Sequence, residues 1–134
     1  MGTITEDYVS FETAKLLKEK GFDGVLPFIY VDTEKSDREV HLTDTLCNYN
    51  DDHIKDVISA PTHQMAMRWL RESHNLYIEP YVVKNYNNNK LEYTYSIQDL
   101  DFNGSDDGID CCKDWNSPEE ACEAAIKYCL ENLI

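Results

Sequence analysis

Apolar residues along this chain switch between a helical spacing and a strand-like one. Phe11, Ala14 and Leu17 recur every three residues, Leu16 widens the stripe, and Lys15, Lys18, Glu19 and Lys20 stay wet. Ser10 is placed to cap this helix, and Gly21 sits where a left-handed terminator is wanted, with Phe22 able to fold back on the last turn. The spacing predicts a helix over 11–20. Val25 to Val31 is apolar and β-prone, yet Pro27 removes one ladder donor, which predicts an edge strand or an extended segment. Charges dominate residues 32–39 without a period, so they read as a loop. Ile54, Val57 and Ile58 share one helical face, predicting a short helix over 51–58 that only tertiary packing could hold.

The pattern strengthens again further on. Met65, Ala66, Trp69, Leu70 and Ser73 form a stripe, with Arg68, Arg71 and Glu72 outside it. Ser59 or Thr62 can cap that helix, Pro61 suits its first turn, and His74 and Asn75 suit its end. Leu91, Tyr93, Tyr95 and Ile97 then alternate with Glu92, Thr94, Ser96 and Gln98, one greasy face and one wet one. Leu76 to Lys84 is the partner strand, Pro80 marks it as an edge, and residues 85–90 turn. The turn exceeds two residues and leaves the register open. Ser117, Pro118 and Glu120 form a capping box with proline at the first helical position, and Cys122, Ala125, Ile126, Cys129 and Leu133 make the last stripe. The expected class is α+β: helices packed on one face of a small antiparallel sheet built around a Tyr-rich hairpin.

Composition narrows the function. The 134 residues suit a single domain, 1–134, and the 42% hydrophobic fraction is too high for a disordered acidic tail. Lys and Arg number 12 against 26 Asp and Glu, a net charge of −14 that phosphates should repel, so direct nucleic-acid binding is not expected. No apolar run is long enough for a membrane span. The N-terminal residues lack the basic start and apolar stretch of a signal peptide, and Glu6 stands where a myristoylation signal requires Ser or Thr. The five cysteines, an odd number without a C-x-x-C pair, predict reduced thiols in a cytoplasm rather than zinc or disulfides. Cys122 and Cys129 read as small buried hydrophobes.

Three segments taken together carry a resemblance. They are Tyr8 through Phe22, then Ser59-Ala60-Pro61-Thr62-His63-Gln64 through Trp69-Leu70-Arg71-Glu72, and Pro118-Glu119-Glu120-Ala121 after the Tyr-rich hairpin. In these the chain resembles a family of small uncharacterised proteins encoded by gut bacteria, their prophages and tailed phages. The family has no established activity. The resemblance implies a phage or mobile-element product in the cytoplasm of a bacterial host cell, and it supplies no catalytic residue.

One motif contains recognisable chemistry. From Asp99 to Asp110 the chain matches the D-x-D-x-N-G start of a calcium loop, with Asp99, Asp101, Asn103, Ser105, Asp107 and Asp110 at the ligand positions. Ca²⁺ is favoured over Mg²⁺ because the ligands are many and flexible. Asp106 stands where an EF-hand wants an apolar residue, and Asp110 is shorter than the usual bidentate Glu. The alternative is a solvated turn rich in turn-forming residues. His41, His53, His63 and His74 are scattered without paired spacing and read as surface or half-buried. No nucleophile elbow or phosphate cradle occurs. Trp69, Tyr81, Tyr93 and Tyr95 are the candidates for a partner-binding patch, against the alternative of tyrosines half in a core.

The expected function is therefore a non-enzymatic accessory protein that works by protein–protein contact, its charge steering it toward a basic or DNA-binding partner. An acidic nucleic-acid mimic that inhibits a DNA-binding host enzyme is the alternative from another class, and a small Ca²⁺-binding protein is a third. Self-association stays open.

Overall fold

The computed structural model describes residues 7–100, 109–110 and 114–134. The class is α+β, as the pattern predicts, with three helices and two antiparallel sheets. The chain divides into two compact units, Met1–Ala66 and Met67–Ile134. Among the described residues no helix is long and apolar enough to cross a membrane.

In the first unit, α1 spans Phe11–Glu19, and β1 (Leu26–Val31), β2 (His41–Cys47) and β3 (Val57–Ser59) form a sheet in the order β2-β1-β3. The Ser10 hydroxyl accepts from the Thr13 N–H at 3.2 Å, relieving one orphan donor of α1. At the other end Gly21 has φ +93°, Phe22 N–H donates to the Leu17 carbonyl at 2.9 Å, and Gly21 N–H donates to the Lys18 carbonyl at 3.1 Å. That pair of bonds is a Schellman cap, which needs a residue free to take positive φ. Phe11, Thr13, Ala14 and Leu17 are buried, and α1 packs against β3. The Tyr30 hydroxyl donates to the Val9 carbonyl, and the Tyr30 ring meets Phe11 edge-on at 5.6 Å.

Two expectations for this unit fail. β1 is the central strand rather than an edge, because Pro27 lies in an irregularity of the ladder. Leu26 pairs with Cys47 and Phe28 with Leu42, so residues 43–46 stand opposite Pro27 alone and nothing there requires its missing N–H. The helix expected over 51–58 is also absent. Turns occupy its first half, Asp56 has φ +68°, which no right-handed helix tolerates, and Val57 and Ile58 pair with Val31 and Tyr30.

Helix α2 spans His63–His74. The Thr62 hydroxyl accepts from the Met65 N–H at 3.2 Å, so Pro61 precedes the cap instead of entering the first turn. Ala66 and Leu70 are buried, but Met65 and Ser73 are exposed, which rotates the buried stripe toward His63. Asn75, at φ +54°, ends the helix as expected.

The second unit holds β4 (Leu76–Asn85), β5 (Lys90–Asp99), the two-residue β6 (Ile109–Asp110) and α3 (Pro118–Asn132), with strand order β4-β5-β6. Pro80 lies on the edge strand, as predicted. The Ser117 hydroxyl accepts from the Glu120 N–H at 3.2 Å, and the Glu120 carboxylate reaches back to the Asn116 N–H at 3.2 Å. α3 packs on β4 and β5 with Ala121, Cys122, Ala125, Ile126, Cys129 and Leu130 buried. Leu133, expected in the stripe, is only half-buried, because Leu130 and Ala121 occupy the inward face.

Removing volume from this face should cost far more than removing the cap. Ile126→Ala is expected to destabilise by about 2–5 kcal/mol and Ser117→Ala by about 1 kcal/mol, with Leu133→Ala well below Ile126→Ala. Urea unfolding of the three variants checks the order.

Candidate protein-binding surface

The β4–β5 hairpin has two ends with different fates. Ile78 pairs with Ile97 and Pro80 with Tyr95, and at this end Leu76, Ile78, Tyr95 and Ile97 are buried. Toward the turn, Val82 pairs with Tyr93 and Lys84 with Leu91. There Tyr81, Val82, Val83 and Leu91 are exposed, and Tyr86 in the turn is 86% exposed. Lys84 lies over the Tyr86 ring at 5.7 Å, a cation–π contact that holds the aromatic side chain near the tip. Positive φ at Asn89 (+57°) closes the turn, as the asparagine run suggests.

Register separates the aromatic candidates. Directly opposed residues share a face, so Val82, Tyr93 and Tyr95 lie on one side, while Tyr81 lies on the other with Thr94. Tyr81 is exposed and Tyr93 is half-buried. Tyr95 is a correction: it is buried, with its ring stacked on Trp115 at 5.4 Å and 28°, and belongs to the core instead of a contact patch. Trp69 is half-buried on α2, edge-on to the His74 ring at 4.8 Å. The four residues therefore do not form one aromatic platform. Val82, Val83, Leu91 and Tyr86 are exposed at the hairpin tip instead. Adjacent Val82 and Val83 are the signal, because two consecutive apolar residues in a strand put one on each face.

A short segment braces the outer flank of β5. Tyr93 and Trp115 exchange both backbone hydrogen bonds, at 3.0 and 2.7 Å. Beside this bridge Asp114 hydrogen-bonds the Glu92 carboxyl, which raises the Asp114 pKa above the usual carboxylate value. Glu92 is shifted down, chiefly because the Asn85 amide donates to it at 3.0 Å. In the first unit Asp37 is likewise lowered, by the Glu39 N–H at 3.0 Å and then by His41, whose Nε2 is 3.0 Å from its carboxylate.

The calcium-loop candidates Asp101, Asn103, Ser105 and Asp107 lie outside the described residues. Asp99 ends β5 and Asp110 lies in β6, whose backbone pairs Asp110 with Ser96. The segment thus runs from strand to strand, whereas an EF-hand places a helix on each side. Among the described residues no group of three or more His, Cys, Asp or Glu is placed to hold a metal. His63 corrects the surface reading of the histidines: it is buried at the start of α2, where its N–H donates to the Asp7 carbonyl at 2.9 Å. Cys122 and Cys129 are buried free thiols, and burial pushes Cys129 up to about 12. Cys47 is half-buried.

Comparison with protein-family models, with curated proteins and with solved structures finds no match for the chain.

Two expected outcomes follow from the titrating groups. With its thiol protonated at pH 8, Cys129 should resist iodoacetamide in the folded protein, while half-buried Cys47 is labelled before Cys122 and Cys129; peptide mapping by mass spectrometry reads all three. Because the Asp114 pKa is raised in the fold, ionising it disfavours the fold as pH rises through that value. Asp114→Asn should therefore raise the melting midpoint slightly at pH 7 and leave it nearly unchanged below about pH 3, where the wild-type carboxyl is already neutral.

Proposed function

We propose that the protein works by binding another protein, with the turn end of the β4–β5 hairpin as its contact surface. The observation that carries this reading is the grouping of Tyr81, Val82, Val83, Tyr86 and Leu91, all exposed at one end of one hairpin. A lone exposed Leu is ordinary, but this hairpin end carries exposed apolar side chains on both faces, Tyr81 with Val83 on one and Val82 with Leu91 on the other, a concentration that marks a contact surface. Tyrosine suits the task because it offers large contact area with few rotatable bonds. Among the described residues β4 has a neighbouring strand on one side only, and an edge strand is where an incoming strand can add. The net charge of −14 steers encounters toward basic surfaces and keeps copies of the chain apart.

The same charge supports the alternative of an acidic nucleic-acid mimic. Salt separates the two readings: a mimic releases its target as ionic strength rises, while an apolar contact keeps it. Recovery from a bacterial lysate at about 0.5 M salt, where exposed charges are screened within a few ångströms, is the test. Tyr81→Ser combined with Val83→Asp should lower affinity for a salt-resistant partner about tenfold or more, with the melting midpoint little changed. Undiminished binding by this variant, or loss of every partner in high salt, would remove the hairpin reading.

A further inference from the structure

Hydrogen bonding in an antiparallel pair alternates, so one observed bridge sets the direction of every backbone group along β4. Tyr93 directs both its N–H and its C=O to Trp115, at 3.0 and 2.7 Å, and so away from β4. Val82 stands opposite Tyr93, which makes this a non-hydrogen-bonded pair, and the Val82 N–H and C=O face away from β5 in turn. The Leu100 N–H on the Asn75 carbonyl, at 2.7 Å, sets the same phase at the far end of the hairpin. Counting by twos, Pro80, Val82 and Lys84 present their backbone groups to the open side, while Tyr81 and Val83 bond β5.

Pro80 therefore lacks an N–H that would have faced outward. The β4–β5 ladder loses nothing by it, and the open row of donors is interrupted at that residue. From there toward the turn the row is whole, with carbonyls at Pro80, Val82 and Lys84 and N–H groups at Val82 and Lys84. Every residue from Glu79 to Lys84 is exposed. A molecule lying flat on the hairpin would touch Tyr81 and Val83 or else Val82 and Leu91, which are on opposite faces. A strand added at the edge sets its own side chains beside both faces at once.

Charge selects the strand. Among the described residues Glu79 makes no ion pair, whereas Lys84 already lies over the Tyr86 ring. The chain as a whole carries −14, so a second copy is repelled and a basic segment is drawn in. We infer that the outer edge of β4 over residues 80–84 takes up an antiparallel strand from a basic partner protein, with β-branched side chains along it and a Lys or Arg beside Glu79. This rests on the hairpin reading above and specifies how contact is made there.

The probe is a fluorescein-labelled octapeptide of alternating Thr and Val with a lysine at each end, titrated into the full chain beside a control ending in glutamates. Anisotropy reads affinity, and amide hydrogen exchange by NMR reads the edge. The lysine peptide should bind more tightly than the control and slow exchange at Val82 and Lys84, whose amides have no partner in the free sheet. Val82→Pro removes an N–H that bonds nothing in the fold, so it should melt close to the wild type yet weaken the peptide about tenfold or more. Val82→Thr keeps the N–H and the β-branch and should bind as the wild type does. Absent binding, equal binding of both peptides, or unslowed exchange at Val82 and Lys84 would overturn the inference, and the exchange result stands even if Val82→Pro does not fold. A salt-resistant partner lost by Tyr81→Ser with Val83→Asp but kept by Val82→Pro would overturn strand addition alone and leave the hairpin as the contact surface.

Discussion

Pro27 cannot donate to a ladder, and the first sheet is arranged around that absence. β1 needs partners on both sides to act as the central strand, and its pairs with β3 begin only at Ile29. On the β2 side the missing donor is absorbed by letting residues 43–46 bulge out between two regular pairs. The bulge is stitched locally: the Thr43 hydroxyl donates to the Thr45 carbonyl at 2.9 Å, and the Tyr49 hydroxyl donates to the same carbonyl at 2.8 Å. Its consequence reaches the surface, because β2 alternates no buried face and leaves Leu42 and Leu46 in solvent. One proline thus connects strand order to an exposed apolar border.

Length plays the corresponding part in the second unit. The ten residues of β4 extend about 33 Å at strand rise, whereas the fifteen residues of α3 cover about 22 Å at helical rise. A helix of that length cannot shield a hairpin of that length from end to end. On the face that carries buried Leu76, Ile78, Tyr95 and Ile97, the turn-end half leaves Val82 and Leu91 exposed. Apolar burial contributes about 25 cal/mol per Å², so leaving these side chains in water forgoes stabilisation that the fold could have gained from a longer helix. Contact with another molecule is one way to recover it.

Helices with chemical punctuation were legible in the sequence. Ser10, Gly21, Ser117 and Pro118 act locally, and each sits where its own side chain or backbone freedom dictates. The hairpin was legible from its alternation. β2 and β3 were not, because His41–Cys47 has no apolar face to reveal it and Val57–Ser59 is a strand only through pairing with β1. Tyr81 is exposed, whereas Tyr95, which looked identical to it in sequence, is core. What separates them is register: Tyr95 lies opposite Pro80 in the covered half and stacks on Trp115, which is twenty residues away along the chain.

Charge gives the two exposed surfaces different chemistry. Around the hairpin tip Lys84 and Lys90 stand with Glu79, Glu92 and Asp114, so charges of both signs are interspersed there. Residues 41–53 of the first unit carry Asp44, Asp51 and Asp52 and no Lys or Arg, with Lys55 just beyond them, so acidic side chains outnumber basic ones there. Screening over about 8 Å at physiological salt weakens the mutual repulsion of two chains of charge −14.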